Sequence, residues 1–278
     1  MTKISVIIPV YKLKKDFLKN LKHNYPFIKD LQIIVVNDDP KTKIKQELND
    51  ISKKIILINN AQNLGFAKSI NQGVRHVKSP YIMLLNSDVL LQNSAYIKAL
   101  SLFQNNPKLF AVSFAQKERN NRIVGANQGD FKQGLFHHSS KKCKTTCSTL
   151  WPEGGACILN TKIFSELKGF DEDYSPFYWE DVDLGYRAWQ AGYEVLYYPK
   201  VMVIHHHETT ISKYYSKEYI KTIAYRNQFI FAWKNSRGWQ LISHFFWLPI
   251  NYLQNRSQPG FHQGLKLAIN KYWLKHEN

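Results

Sequence analysis

The chain has 278 residues, 44% hydrophobic and 21% charged, with 39 aromatic side chains (7 Trp, 16 Tyr, 16 Phe), 13 glycines and three cysteines. That mixture excludes a disordered chain, a collagen-like repeat and a disulfide-stapled mini-fold, and it suits one sizeable domain, or one with a small appendage. The 38 Lys+Arg against 21 Asp+Glu leave a net charge of +17, which calls for a negatively charged partner: nucleic acid, an anionic membrane face or a phosphorylated ligand.

From the N-terminus, fully apolar runs alternate with amphipathic stretches. ISVIIPV at 4–10 precedes a Lys-rich helical pattern. LQIIVVN at 31–37, KIILIN at 54–59 and YIMLLN at 81–86 each precede another, and LFAVSFA follows at 109–115. Strands that are apolar throughout and separated by helices predict βαβ units and a mostly parallel sheet covered on both faces, with ligands at the carboxyl ends of the strands. From Lys117 to Leu150 the pattern dissolves into a polar stretch, with seven Lys+Arg against two acids; the expectation is a long mobile loop with a hairpin near Arg122 to Gly125. Order resumes at Gly154-Gly155 with a strand (ACILN), a short helix, a Gly169-Phe170 turn, a helix near Glu180 to Ala191, and a strand pair, EVLYYP and VMVIHH. Residues 212–278 read as two or three aromatic-rich helices, so the expected division is a catalytic domain at 1–211 and a basic helical extension at 212–278.

The first apolar run is cut by Pro9, followed at once by lysines and lacks a small-residue cleavage site, which predicts a buried strand rather than a signal peptide. Cys143, Cys147 and Cys157 include no pair at the spacing of a secreted framework, and unpaired thiols in a cytoplasmic protein are expected. The tract Trp239 to Leu253 contains Gln240, Ser243, His244, Pro249 and Asn251 and is shorter than the ~20 apolar residues of a membrane span.

Four constellations can carry chemistry, three at strand ends and one at the start of a helix. Asn37-Asp38-Asp39, beside Pro9-Val10-Tyr11, offers carboxylates and amides for a nucleobase or ribose and a ring for stacking, while Asn-Asp-Asp-Pro is equally ordinary turn chemistry. Asn86-Ser87-Asp88 sets an acid at the sheet edge, suited to a hard cation such as Mg²⁺ or Mn²⁺ or to capping the next helix. Glu180-Asp181-x-Asp183 follows the aromatic cluster FYW and supplies a candidate general base; the same acids complement a helix dipole, and Asp183 to Arg187 has ion-pair spacing. His205-His206-His207 ends a strand, where an imidazole can bind metal or face solvent. His137-His138 with Cys143-x₃-Cys147 matches a zinc set only loosely.

These pieces, in this order, resemble the inverting family 2 glycosyltransferases of the GT-A fold, especially the bacterial rhamnosyltransferase-like branch. The resemblance covers about residues 3 to 235 and rests on SVIIPVYK, IIVVNDDP, NLGFAKSINQGV, YIMLLNSDVLL, GGACILNTKIF, GFDEDYSPFYWEDVDLGYRAWQAGYEV, YPKVMVIHHH and RNQFIFAWKN. It implies a Rossmann-like α/β sheet in which Pro9, Tyr11, Asn37, Asp38 and Asp39 surround the base and ribose of a nucleoside-diphosphate sugar. Asn63, Gly65 and Lys68 then lie on its ribose-phosphate side, with Asn86 and Ser87 close by. Asp88 becomes the metal-binding acid, His205 the metal-associated histidine, and Asp181 the general base with Glu180 in reserve. Two departures stand out: Asn86 occupies a position that is acidic in many members, and Asn37 replaces a frequent Asp.

The implied reaction moves a sugar from a UDP- or dTDP-linked donor to a saccharide acceptor of a bacterial surface glycan, expected to be lipid-linked. A catalytically inactive sugar-nucleotide-binding or scaffold protein is the alternative. No nucleic-acid motif is present, and nucleic acid is not an expected partner. Residues 206–278 hold 10 Lys+Arg, three acids and 15 of the aromatics. Basic and aromatic together suit an anionic membrane surface, hence peripheral attachment to the inner face of the cytoplasmic membrane; a packed helical cap with a solvated basic face is the other reading.

Overall fold

The computed structural model describes residues 3–205 and 211–274. Its first half is built of β1 (Ile4–Val10), α1 (Lys14–Ile28), β2 (Gln32–Asn37), α2 (Lys45–Ile51), β3 (Ile56–Asn59), α3 (Phe66–Val74) and β4 (Tyr81–Leu85). β1, β2 and β4 alternate their side chains between two buried faces, and the edge strand β3 is partly covered on both. Val6, Ile8 and Val10 of β1 with Ile33 and Val35 of β2 meet Phe17, Leu21 and Ile28 of α1, whereas Ile7, Ile34 and Val36 meet Ala67 and Ile70 of α3. The four strands run parallel in the order β3-β2-β1-β4, so their carboxyl ends share one edge.

The chain continues through β5 (Val89–Leu91), α4 (Tyr96–Asn105), β6 (Leu109–Lys117), β7 (Ile123–Val124), β8 (Asn127–Lys132), β9 (Leu135–Ser140) and β10 (Cys147–Ser148). There follow β11 (Ala156–Asn160), α5 (Thr161–Glu166), α6 (Glu180–Gln190) and β12 (Glu194–His205). β11 inserts antiparallel between β4 and β6, and β12 runs parallel to β6, so beyond β4 the sheet is mixed. The expected strand pair EVLYYP and VMVIHH is one continuous strand, β12: it absorbs Pro199 in an irregularity between Tyr198 and Met202 instead of turning.

The stretch from 117 to 150 is structured, contrary to the expected mobile loop. β7 folds back on β6, the hairpin foreseen near Arg122, and β8 pairs with β9 across a two-residue turn at Gln133-Gly134, both at positive φ. Few apolar residues suffice: Leu135 and Phe136 are buried against Phe229 and Phe231, with Phe131 packed on them. Cys143 and Cys147, expected as thiols, are joined in a disulfide, and Cys157 is free and buried.

The C-terminal segment forms α7 (Ile211–Tyr214), α8 (Lys217–Asn235), α9 (Trp239–Gln254) and α10 (Phe261–Tyr272). α8, capped by Ser216 accepting from the Tyr219 N–H, shares a core with the hairpin, Trp151, Tyr174 and Trp179. α9 is inverted relative to an ordinary surface helix. Its polar His244 and Asn251 are buried, bound to the hairpin tip through the carbonyls of Gly134 (2.6 Å) and Gln133 (2.9 Å). Trp239, Ile242, Phe245, Phe246 and Leu253 face outward, Trp239 at 79% exposure. Among the described residues no helix is long and apolar enough to cross a membrane.

Candidate active site

One cavity, of about 360 Å³, opens where the carboxyl ends of β1, β2 and β4 meet the turn into α6. Its wall takes Pro9, Val10 and Tyr11 from β1, Asp38 from β2, Asn63, Gly65 and Phe66 from the turn into α3, and Asn86, Ser87 and Asp88 from beyond β4. Glu153, Gly154 and Gly155 precede β11, Pro176 to Tyr178 and then Glu180 and Asp181 lead into α6, His205 ends β12, and Ile211 and Tyr215 come from the C-terminal segment. Thus eleven of the fourteen residues expected at a site converge on one cavity: Pro9, Tyr11, Asp38, Asn63, Gly65, Asn86, Ser87, Asp88 and His205, with Glu180 and Asp181 of α6.

Asn37, Asp39 and Lys68 are outside this wall. Asn37 is buried, donating to the Thr42 carbonyl at 2.8 Å and to Asn59 Oδ1 at 3.0 Å. Asp39 closes the following turn, accepting from Thr42 Oγ1 at 2.6 Å and from the Lys41 N–H at 3.1 Å. Lys68 lies 3.7 Å from Glu172. Asp38 reaches the cavity with its carboxylate engaged: Asn60 Nδ2 and the Leu64 and Gly65 N–H groups donate to it, each at 2.8 Å. Burial pushes the Asp38 carboxyl above its usual range, against those hydrogen bonds. Its effect is to hold the 63–66 turn. Gly65 there has φ +84°, and a Cβ would stand 2.8 Å from the Pro176 carbonyl oxygen; only glycine lets this turn touch the loop that carries the α6 carboxylates.

At the other side, α1 fixes the acid after β4. Asn24 donates to the Val89 carbonyl and accepts from the Leu91 N–H, both at 2.8 Å, and Asn20 donates to the Ser87 carbonyl at 2.9 Å. Asp88 Oδ1 then lies 3.2 Å from His205 Nε2. Gln116 Oε1 meets His205 Nδ1 at 2.5 Å. An amide oxygen only accepts, so Nδ1 is the donor in this pairing and Nε2 is the ring nitrogen that faces Asp88. The His206 and His207 of the sequence motif lie outside the described residues.

The donor set fits a divalent cation only in part. One carboxylate and one imidazole converge, and among the described residues no group of three or more His, Cys, Asp or Glu is disposed to hold a metal. Two protein ligands with the remainder from a diphosphate is the usual pattern for Mg²⁺, so Asp88 and His205 suit a cation that arrives with phosphate oxygens.

Asp181 opens onto the cavity. The Val182 N–H donates to its Oδ1 at 2.8 Å and the Gly154 N–H to its Oδ2 at 3.4 Å. Burial, then the charge of Glu153, pushes its pKa up to about 7, where a carboxylate can take a proton near neutral pH. Glu180 is 8% exposed, its Oε2 has no hydrogen-bond partner among the described residues, and burial followed by Asp181 drives its pKa well above the usual range. Asp183 is structural: Tyr174 Oη, Arg187 Nε and Asn235 Nδ2 all donate to it. Tyr178 and Trp179, just ahead of α6, sit at φ 70° and 76°, conformations that cost on the order of 1–3 kcal/mol each in a non-glycine residue.

Two residues of the site, Glu153 and Gln116, belong to none of the sequence motifs. Glu153 lines the cavity and accepts from Asn127 Nδ2 at 2.8 Å, and burial raises its pKa. Its position directly before Gly154-Gly155 was the available signal. Gln116, on β6, shows no local signal.

The architecture is that of the GT-A glycosyltransferases. The chain superposes with a TM-score of 0.60 on a mannosyltransferase from Pyrobaculum calidifontis solved with GDP-Man and Mn²⁺, at 13% identity over 98% of this chain and 88% of that one. With GalNAc-T7, solved with UDP, GalNAc and Mn²⁺, the TM-score is 0.64 at 13% identity, over 82% of this chain and 47% of that one. At such identity the likeness speaks for the fold. Residues 5–167, more than half of the chain, match the model of glycosyl transferase family 2, and the chain belongs to that family. The poly-beta-1,6-N-acetyl-D-glucosamine synthase of Staphylococcus aureus (strain COL) is 23% identical over 174 residues, 62% of this chain and 42% of that protein. The chain therefore spans less than half the length of this relative.

Proposed function

We propose that the protein is an inverting glycosyltransferase that moves a sugar from a UDP- or dTDP-linked donor to a saccharide acceptor of a bacterial surface glycan. The observation that carries this reading is the convergence of Asp181 with the Asp88–His205 pair on one cavity at the carboxyl edge of the sheet. The solved neighbours with UDP or GDP-Man and Mn²⁺ support a nucleotide-sugar donor, and the poly-beta-1,6-N-acetyl-D-glucosamine synthase supports a glycan product. The rhamnosyltransferase-like branch is our assignment from the motifs.

In this mechanism the donor's nucleotide lies along Pro9, Tyr11, Asp38 and Asn63, and Gly65 brings its turn against Pro176. Asp88 and His205 would hold Mg²⁺ or Mn²⁺, which would neutralise charge on the departing diphosphate. Asp181 accepts the proton of the acceptor hydroxyl as that oxygen attacks the anomeric carbon from the face opposite the diphosphate. Glu180, buried beside it, is pushed well above the usual carboxylate range by burial and by the charge of Asp181, so the two carboxyls titrate as a pair. The outward aromatic face of α9 and the net +7 of residues 206–278 (10 Lys+Arg less 3 acids) support an anionic membrane as partner, and with it a lipid-linked acceptor at the inner face of the cytoplasmic membrane.

The test is thermal stabilisation by a panel of nucleotide sugars with and without Mn²⁺, followed by transfer assays with the donor selected. Donor binding without transfer or hydrolysis under any acceptor condition supports the inactive sugar-nucleotide-binding alternative.

A further inference from the structure

The two left-handed residues ahead of the α6 carboxylates are held from outside their own loop. Asn227, in α8, is fully buried, and its Nδ2 donates toward three carbonyl oxygens: Tyr174 at 2.8 Å, Phe177 at 3.0 Å and Tyr178 at 2.8 Å. Its neighbour Arg226, 8% exposed, reaches the Ser175 carbonyl with Nη2 at 2.5 Å and the Tyr174 carbonyl at 3.3 Å. Arg226 Nε also donates to Asn227 Oδ1 at 2.8 Å, which turns the amide so that its NH₂ faces the loop.

Four carbonyls of the Tyr174–Trp179 loop are thereby satisfied by two adjacent side chains of one helix. A buried loop carbonyl needs such a donor, but hydrogen bonding alone does not require the φ of 70° and 76° at Tyr178 and Trp179. Those angles set the direction in which the chain enters α6. The Trp179 carbonyl accepts the Asp183 N–H at 2.8 Å, so the first turn of α6, with Glu180 and Asp181 in it, starts from the turn that Asn227 grips.

We propose that Arg226 and Asn227 are positioning residues for Asp181: they hold the Tyr174–Trp179 loop in its strained form, and this aims the Asp181 carboxylate into the cavity. The proposal rests on the reading of Asp181 as the proton acceptor. It makes α8 part of the catalytic machinery although none of its residues lines the cavity.

The experiment uses the full chain and the donor selected above. Asn227→Ala lowers kcat by about 10- to 100-fold, the scale of a slightly misplaced catalytic group, with donor KM within about twofold of the parent. Arg226→Lys, which cannot make the forked contacts, gives a smaller loss of the same kind and serves where Asn227→Ala fails to fold. The decisive measurement is suppression. In a Tyr178→Gly background, where positive φ carries little strain, Asn227→Ala lowers kcat by less than about threefold. A plain folding defect would persist in that background. In parallel, limited chymotrypsin digestion cleaves folded Asn227→Ala at Phe177 or Tyr178 faster than the parent. Unchanged kcat in Asn227→Ala or Arg226→Lys overturns the proposal, as does an undiminished loss in the Tyr178→Gly background. An Asp181→Asn variant separates the two readings: normal turnover there removes Asp181 as the base, whereas loss of turnover there, with the Arg226 and Asn227 variants at parental kcat, removes only the positioning role.

Discussion

His205 Nε2 faces Asp88 Oδ1 at 3.2 Å while Gln116 holds the opposite ring nitrogen. A carboxylate oxygen and a ring nitrogen at this distance can take a divalent cation between them. If a divalent cation fills this role with the donor diphosphate, transfer requires Mg²⁺ or Mn²⁺ and falls strongly in Asp88→Ala. Gln116→Leu removes only the support of the ring and weakens metal-dependent stimulation by about 10- to 100-fold. The check is a metal titration of transfer rate in parent and variants; full activity in excess chelator refutes the assignment.

Asp181→Asn keeps the shape of the side chain and removes its basicity, so turnover falls by about 10²-fold or more with donor binding nearly unchanged. The raised pKa fixes a sign for pH dependence. As a base, Asp181 works when ionised, so kcat/KM of the parent rises toward a plateau as pH passes about 7. For stability the direction is opposite. A carboxyl whose folded pKa exceeds its unfolded value binds more protons when folded, so stability declines as pH rises from about 4 toward 7. Asp181→Asn flattens that slope, measurable by denaturant unfolding across the window.

Gly65→Ala tests the contact between the two loops of the cavity. The substitution adds a methyl 2.8 Å from the Pro176 carbonyl oxygen in a residue at φ +84°, and backbone strain predicts a loss of about 1–3 kcal/mol. Nucleotide-sugar affinity should fall with it, because the Asp38-bound turn and the Pro176 loop line the same cavity. Unfolding and donor titrations of the variant measure both.

The parallel half of the sheet was legible because β1 to β4 are apolar throughout and end in short polar signals, one of which contains Asp88; Asp181 stood out among the acids that open α6 and His205 in the histidine run at the end of β12. What sequence reading missed depends on distant partners. The hairpin of 127–140 buries only a few apolar residues and completes its core with Phe229 and Phe231, about a hundred residues away along the chain. Asn37-Asp38-Asp39 reads as one polar cluster, yet Asn37 and Asp39 turn inward to Asn59 and Thr42 while Asp38 holds the Gly65 turn. Burial, not residue type, separates these roles. Glu153 gains its importance from Asn127 and Asp181, and neither is a sequence neighbour.

With His244 and Asn251 bound inward to the hairpin tip, α9 turns Trp239, Ile242, Phe245, Phe246 and Leu253 to the outside. Residues 219–276 contain no Asp or Glu and eight Lys or Arg, so no acid in that stretch opposes approach to an anionic surface. Each basic residue near such a surface contributes about 1 kcal/mol. Not all eight can face one plane, so a few kcal/mol is the working scale, supplemented by burial of the aromatic face. The protein should sediment with vesicles containing anionic lipid at low salt and less at high salt, because exposed charges are screened over about 8 Å at physiological ionic strength. Phe245→Ser with Phe246→Ser should reduce binding at both salt concentrations, since it removes the apolar contribution, while leaving the inward contacts of His244 and Asn251 and hence the fold intact. Absence of binding at low salt, or equal binding to neutral vesicles, would make α9 an uncovered cap and favour an acceptor free in solution.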